Sequence, residues 1–285
     1  MNQNTLLLGA VGYDPKVVTI WDGFQAYFTQ RGLEFDYILY TNYERQVEAL
    51  AAGHIDVAWN SPLAWLQSER IAEKLGTRAE AICMRDTDRD LVSVIATREA
   101  GPVGGVSDLK GRRVAVGAKD SPQATVIPLY YLTQHGLEPG RDFEVILFDQ
   151  LVGKHGDHIG GERDAARALL RGDCDAACML DGNLLLFAQE GTLPAGTVRT
   201  LAATPQFDHC NFTVLEGRNS PSVESFRELL LGMSYEDADV RRLLDLEGLK
   251  HWLPGRTEGY DLLKRAVNRS GYLDEFTAAV ASRCR

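Results

Sequence analysis

The chain is predicted to fold as two similar α/β units with a ligand held between them. A ten-residue phrase, A-L-x-x-G-x-x-D-x-A, occurs twice, at residues 49–58 and 168–177. Apolar runs of strand length alternate with amphipathic runs of helix length along most of the chain, as they do in βαβ units. A length of 285 residues suits one to two domains with real cores.

Each copy of the phrase spells the last turn of a helix, a glycine stop and a short buried strand. Gly53 and Gly172 can take the left-handed conformation that ends a helix without a Cβ penalty. The apolar runs behind them suit strands covered on both faces, as in a parallel sheet. The first unit is expected as strand 5–11, loop 12–15, helix 18–30, strand 35–39, helix 43–52 and strand 55–59. Asn42 is placed to cap the helix at 43, with the acidic Glu44 in its first turn. Asn60, Ser61 and Pro62 then open a helix to about residue 75, and 79–84 is a further strand.

The charged stretch 85–90, the apolar strand 91–97 and the Gly-rich turn 101–105 mark a crossing into the second unit. That unit is expected as short helix 107–111, strand 113–116, helix 123–135, strand 143–148, a polar Gly- and His-rich loop at 149–161, and helix 162–171 leading into the second repeat. Strands 198–203 and 212–215 flank a return crossing at 204–210. Residues 221–284 are helical, amphipathic and expected to pack on the first unit. The expected domains are therefore 1–90 plus 206–285, and 91–205, joined by a two-crossing hinge with the ligand in the cleft.

Composition excludes some functions. The formal net charge of −10 argues against non-specific nucleic-acid binding, which needs a basic face. No run reaches transmembrane length. The opening apolar run is too short for a signal h-region with its basic flank and cleavage site. The chain as written is therefore expected in the cytoplasm, or in the periplasm or on a lipid anchor if a precursor's signal was removed. Five cysteines are an odd count and fit no obvious disulfide framework. Cys174 and Cys178 fall in the second repeat's strand, where they suit core packing.

Taken in order, these segments resemble the phosphonate-type substrate-binding proteins of ABC importers, a branch of the type II periplasmic-binding-protein fold. The resemblance rests on the opening strand with Tyr13-Asp14-Pro15, on Tyr43 heading a helix, and on A-L-x-x-G-x-I-D-V-A-W followed by Ser61-Pro62. It continues through S-D-L-K-G-R-R-V-A-V-G at 107–117, Asp120-Ser121-Pro122-Gln123-Ala124-Thr125, and the second repeat. It spans roughly residues 5–215. It implies an α/β, two-lobed type II fold, and an anionic head group at the N-terminus of the second domain's first long helix, where free N–H groups and the helix dipole favour negative charge.

The matching positions are Ser121, Gln123, Ala124 and Thr125, with Pro122 suited to the first helical turn. Ser121 or Asp120 can equally be a simple cap. Tyr43 matches the family's head-group aromatic, or is a partly exposed helix residue. Asn60 and Ser61 follow the first repeat's strand at the end that faces the crevice in parallel sheets. Asp181 and Asn183 hold the corresponding place after the second repeat, where Asp181 would pair with a ligand amine or serve as an Asx turn or cap. Tyr13 would line the same cleft, and His155 or His158 would donate to an anionic oxygen. The sequence departs from the family in a thinned set of hydroxyl residues, in Asp120 beside the anion position, and in the missing export signal.

The function expected is therefore binding of a small oxyanion-bearing metabolite, phosphonate-like or phosphate-ester-like, as a solute-binding protein serving an ABC permease. No cofactor is favoured. The alternative is a cytosolic enzyme on the same scaffold acting on a small metabolite. In that reading His155, His158, His209 and Cys210, with Asp181, are candidates for an iron or zinc site, although H-x-x-H in a Gly-rich loop has little specificity alone. The sequence has no P-loop, no dinucleotide Gly motif and no ordered Ser-His-Asp set.

Overall fold

The computed structural model describes residues 5–217 and 220–284. The chain divides into two compact units, one of Met1–Arg89, Asp208–Asp261 and Ser270–Arg285, the other of Asp90–Phe207 and Leu262–Arg269.

The first unit starts with β1 (Leu6–Val11), α1 (Lys16–Gln30), β2 (Phe35–Tyr40), α2 (Tyr43–Ala52), β3 (Val57–Asn60), α3 (Pro62–Leu75) and β4 (Ala79–Arg85). The second unit carries β5 (Ser93–Arg98), β6 (Arg113–Val116), α4 (Ile127–Gln134), β7 (Glu144–Leu147), α5 (Gly160–Arg171), β8 (Ala176–Leu180), α6 (Asp181–Gln189) and β9 (Val198–Ala203). Then follow β10 (Asn211–Leu215), α7 (Pro221–Leu231), α8 (Ala238–Glu247), β11 (Trp252–Pro254), α9 (Asp261–Ser270) and α10 (Asp274–Arg283). The stretch expected to be helical throughout thus contains one short strand, β11. Most of α9 clusters with the second unit.

The two copies of the repeat are built alike. Gly53 and Gly172 end α2 and α5 at φ of 75° and 83°. In each, the N–H after the glycine reaches back to the alanine that begins the phrase, His54 to Ala49 O and Asp173 to Ala168 O, both at 2.9 Å, closing the helix end as such caps do. The conserved-in-phrase aspartate then makes a two-point clamp on the neighbouring strand. Asp56 N–H donates to Leu7 O at 2.9 Å while its carboxylate accepts from Leu7 N–H at 2.8 Å. Asp175 does the same to Arg113, at 2.8 and 3.0 Å. One residue thereby satisfies both backbone groups of its neighbour at the N-terminal ends of the strands.

Both sheets are mixed, where the alternation of elements had predicted parallel ones. In the first, the order is β11-β4-β10-β3-β1-β2, with β1, β2 and β3 parallel and β10 antiparallel to both β3 and β4. In the second, the order is β7-β6-β8-β5-β9, and β5 runs antiparallel to β8 and β9. Of the reversed strands, β5 and β10 are the first after the chain changes unit, and β11, antiparallel to β4, follows β10 in the first unit. A strand buried on both faces has the same apolar sequence in either direction, so its direction leaves no periodic trace.

Aromatic packing dominates the first core: Phe212 of β10 lies 4.5 Å from Trp59 and 5.0 Å from Phe226 between ring centroids. The second core is lighter, with Ala96, Ala115, Ala165, Leu169, Met179 and Phe187 on one face of its sheet, and Val103, Val114, Val116, Leu132, Phe143 and Cys178 on the other. No disulfide joins the described cysteines. Burial pushes the Cys83 and Cys174 thiols up to about 12 and Cys178 higher still, which keeps all three protonated and suits their place in the core.

Candidate anion-binding site

The polar constellation of the second unit is built where β6 ends and the next helix begins. Ser121 Oγ accepts from Ala124 N–H at 3.2 Å, a helix cap. The helix does not start as the regular α-helix expected from residue 123. Pro122–Val126 form a wide turn in which Val126 N–H reaches Ser121 O at 3.0 Å. Pro128 supplies a physical reason: it has no N–H to give Ala124 O, and that carbonyl accepts from Gly117 N–H at 3.3 Å instead. Wide turns of this kind concentrate at functional sites.

Gln123 Nε2 donates to Gly156 O at 2.9 Å and to Glu162 Oε1 at 3.3 Å. Both partners are acceptors, so the orientation of the amide is fixed. Its Oε1 is buried without a partner, as are Thr125 Oγ1 and Asp120 Oδ1. Glu162, 2% exposed, is the hub. Its Oε2 accepts from Leu180 N–H at 3.0 Å and from Asn183 Nδ2 at 2.7 Å, so one carboxylate ties together the helix start, the end of β8 and the first turn of α6. Sequence reasoning saw Glu162 only as the beginning of a helix. Acids are common there for dipole reasons alone, so the residue carried no further signal.

The loop before α5 is seated on this helix start. Asp120 Oδ2 accepts from Gly153 N–H at 2.5 Å, and Asp149 Oδ1 from Lys119 N–H at 2.9 Å. Gly156 has φ of +82°, and a Cβ there would lie 2.2 Å from Ser121 Oγ, so only glycine fits. His155 is fully buried at φ +48°. His158 is partly buried and its Nδ1 accepts from Gly160 N–H at 3.2 Å, which makes it a cap for α5. Lys154 is also in this loop, its ammonium pKa lowered by burial against the opposing pull of Asp157. Asp181 is exposed and accepts from Gly182 N–H at 2.7 Å. Ser121, Gln123 and Thr125 are thus brought together with Asp120 and Glu162. His158 and Asp181 instead bond locally, to Gly160 and Gly182.

The first-unit residues have internal work. Asn60 is fully buried. It accepts from Gln46 Nε2 at 2.8 Å and donates to Ser68 Oγ at 3.1 Å and Thr213 Oγ1 at 2.9 Å. The chain of bonds continues through Asn211 to Tyr260 Oη, which donates to His209 O at 2.8 Å. Ser61 caps α3 through Ala64 N–H at 3.1 Å. Tyr43, expected at a head group or on a partly exposed face, is 1% exposed and packs with Val11, Val47 and Ala64. Asn60, expected to offer its amide to a ligand, here gives both Nδ2 hydrogens to partners inside the first unit. Tyr13 is partly buried against the aromatic core, with Lys16 Nζ 5.8 Å from its ring centroid.

His155 and His158 belong to the second unit, His209 and Cys210 to the first. His209 Nδ1 lies 3.1 Å from Cys210 Sγ and 3.4 Å from Asp88 Oδ1. These three are the one group among the described residues with its ligand atoms mutually within 4.8 Å. Asp88, however, is already paired with Arg85 through contacts of 2.5 and 2.9 Å. Burial alone would raise the Asp88 pKa, but Arg85 and then His209 outweigh it and hold the carboxyl at about 2. A guanidinium in that position opposes a second cation. Two depressions on the first unit, about 780 and 520 Å³, are lined by none of the predicted site residues.

A sequence model of the family described as ABC transporter, phosphonate, periplasmic substrate-binding protein matches residues 12–260. The chain belongs to that family. Solved structures extend the likeness at the level of fold. PhnD1 from Prochlorococcus marinus, in complex with methylphosphonate, is 16% identical over 95% of this chain and 99% of its own, with a TM-score of 0.70. XAC2383 from Xanthomonas citri, bound to ATP, is 16% identical over 99% and 98%, with a TM-score of 0.67. The phosphonate-transporter binding protein PA3383 from Pseudomonas aeruginosa is 13% identical over 99% and 98%, with a TM-score of 0.63. As a phosphonate-type substrate-binding protein the chain is a type II periplasmic-binding fold, and these comparisons give the enzyme alternative no support. The family is periplasmic, and no described helix is long and apolar enough to cross a membrane.

Proposed function

We propose that this protein binds a small phosphonate or phosphate ester and presents it to an ABC permease, with the anionic head seated at Ser121, Gln123 and Thr125. The observation that carries the reading is the buried, unpartnered Thr125 hydroxyl at the start of a helix, where the helix dipole favours an anion. Relatives of the same fold hold methylphosphonate and ATP, both phosphorus oxyanions. Asp181, with its exposed carboxylate, is assigned to a ligand amine, and the Nε2 of His158 and the ring of Tyr13 to the remainder. Asn60, Ser61 and Tyr43 support the scaffold.

Calorimetry and thermal shift with methylphosphonate, 2-aminoethylphosphonate and simple phosphate esters test this reading. Saturation at a hundredfold excess over Kd stabilises the folded state by about 2.7 kcal/mol. Thr125→Val is expected to weaken binding at least tenfold with the fold intact. An unmoved melting temperature across the panel overturns the proposal.

A further inference from the structure

Hydrogen-bond bookkeeping at the start of α4 leads to a selectivity that rests on the head-group position proposed above. The amide of Gln123 cannot turn over, because its Nε2 is engaged by two acceptors, Gly156 O and Glu162 Oε1. Asp120 is similarly held, its Oδ2 taken by Gly153 N–H. The atoms left over, Gln123 Oε1 and Asp120 Oδ1, are both acceptors, both buried and both unpartnered, on residues 3% and 1% exposed. Thr125 Oγ1 is the matching free donor. A ligand that satisfies this inventory must accept from Thr125 and also donate.

We propose that the site selects oxyanions that carry a hydrogen, singly protonated phosphonates and phosphate monoesters, over sulfonates, which only accept. A –PO₃H⁻ head gives its O–H to a waiting acceptor and takes the threonine hydroxyl on another oxygen. A –SO₃⁻ head of nearly the same size and shape sets oxygen against oxygen and leaves the buried acceptors unmet. Sites built around a buried hydrogen bond reject analogues lacking the group far more strongly than apolar pockets reject a methylene. Loss of one such bond corresponds to roughly ten- to hundredfold in affinity. The negative charge of Asp120, which would repel a bare anion, becomes the selecting element.

The test is calorimetry with methylphosphonate and methanesulfonate at pH 6 and pH 8, on the wild type and on Asp120→Asn. The wild type is expected to prefer methylphosphonate by roughly tenfold or more at pH 6. The preference should shrink at pH 8, because the second phosphonate proton leaves near neutral pH. Asp120→Asn keeps an oxygen for Gly153 N–H and puts an amide donor where Oδ1 was, so methanesulfonate binding should strengthen about tenfold. Equal, pH-independent affinities for the two ligands in the wild type overturn this selectivity and leave the site standing. Failure of both to bind overturns the site as well. A folded Asp120→Asn protein with the wild-type preference also overturns the inference. The wild-type pair stands as a test by itself if the variant does not fold.

Discussion

Replacing Asn60 with leucine separates two accounts of that residue. The side chain makes three buried hydrogen bonds, at 2.8, 3.1 and 2.9 Å. At about 1 kcal/mol net for each, their loss costs about 3 kcal/mol. Leucine is of similar size and returns up to about 1 kcal/mol through its apolar surface. The expected destabilisation is therefore about 2–3 kcal/mol, a fall in Tm of about 3–5 °C for a chain of this length. All four tryptophans, Trp21, Trp59, Trp65 and Trp252, lie in the first unit, so urea unfolding followed by their fluorescence reports on that unit selectively. Thr213→Val closes a double-mutant cycle, with a coupling of about 1 kcal/mol expected because Thr213 Oγ1 accepts directly from Asn60. A change below about 0.5 kcal/mol combined with lost ligand binding would refute the reasoning and return Asn60 to the binding site.

Asp88 should make stability depend on acid. Its carboxyl pKa is depressed to about 2, so its contribution is complete above the ordinary carboxylate pKa near 4 and is lost as pH falls from there through 2. The amount is about 2 kcal/mol. Urea midpoints between pH 5 and pH 2 should fall more steeply for the wild type than for Asp88→Asn, and parallel profiles would sink the assignment. Gly156→Ala places a methyl 2.2 Å from Ser121 Oγ at a φ of +82°, which must lift the loop off the helix start. Methylphosphonate affinity should drop at least tenfold with the Trp-detected unfolding of the first unit unchanged. Wild-type affinity in that variant would show that the loop is not part of the site.

Much of the scaffold was legible because it is written in local chemistry. Asn42, Ser61, Gly53 and Gly172 sit at the helix ends assigned to them, each capping or closing its helix. Ser121, Gln123 and Thr125 were singled out by the family resemblance, and Ser121 does cap the helix start there. What stayed hidden depends on partners far away in sequence. The position of Asn60 at a strand's end is visible in the sequence, whereas its partners Gln46 and Thr213 are not. The aspartates of the repeated phrase were noticed as a pattern, but their clamp on Leu7 and Arg113 requires knowing which strand lies alongside. Glu162 was invisible as a hub for the same reason. The wide turn at 122–126 had a local cause in Pro128, and it went unread because proline near a helix start usually means a regular first turn.

The place of β10 has a consequence for the order in which the molecule can be completed. β10 runs between β3 and β4, yet it follows the whole of Asp90–Phe207 in the chain. Until residues 211–215 are made, β3 and β4 each lack the strand that joins them, and Asn60 lacks Thr213. The second sheet has no such debt, because all five of its strands lie within one continuous segment. A nascent chain can therefore finish the later sheet before the earlier one, with two open strand edges exposed in the interval.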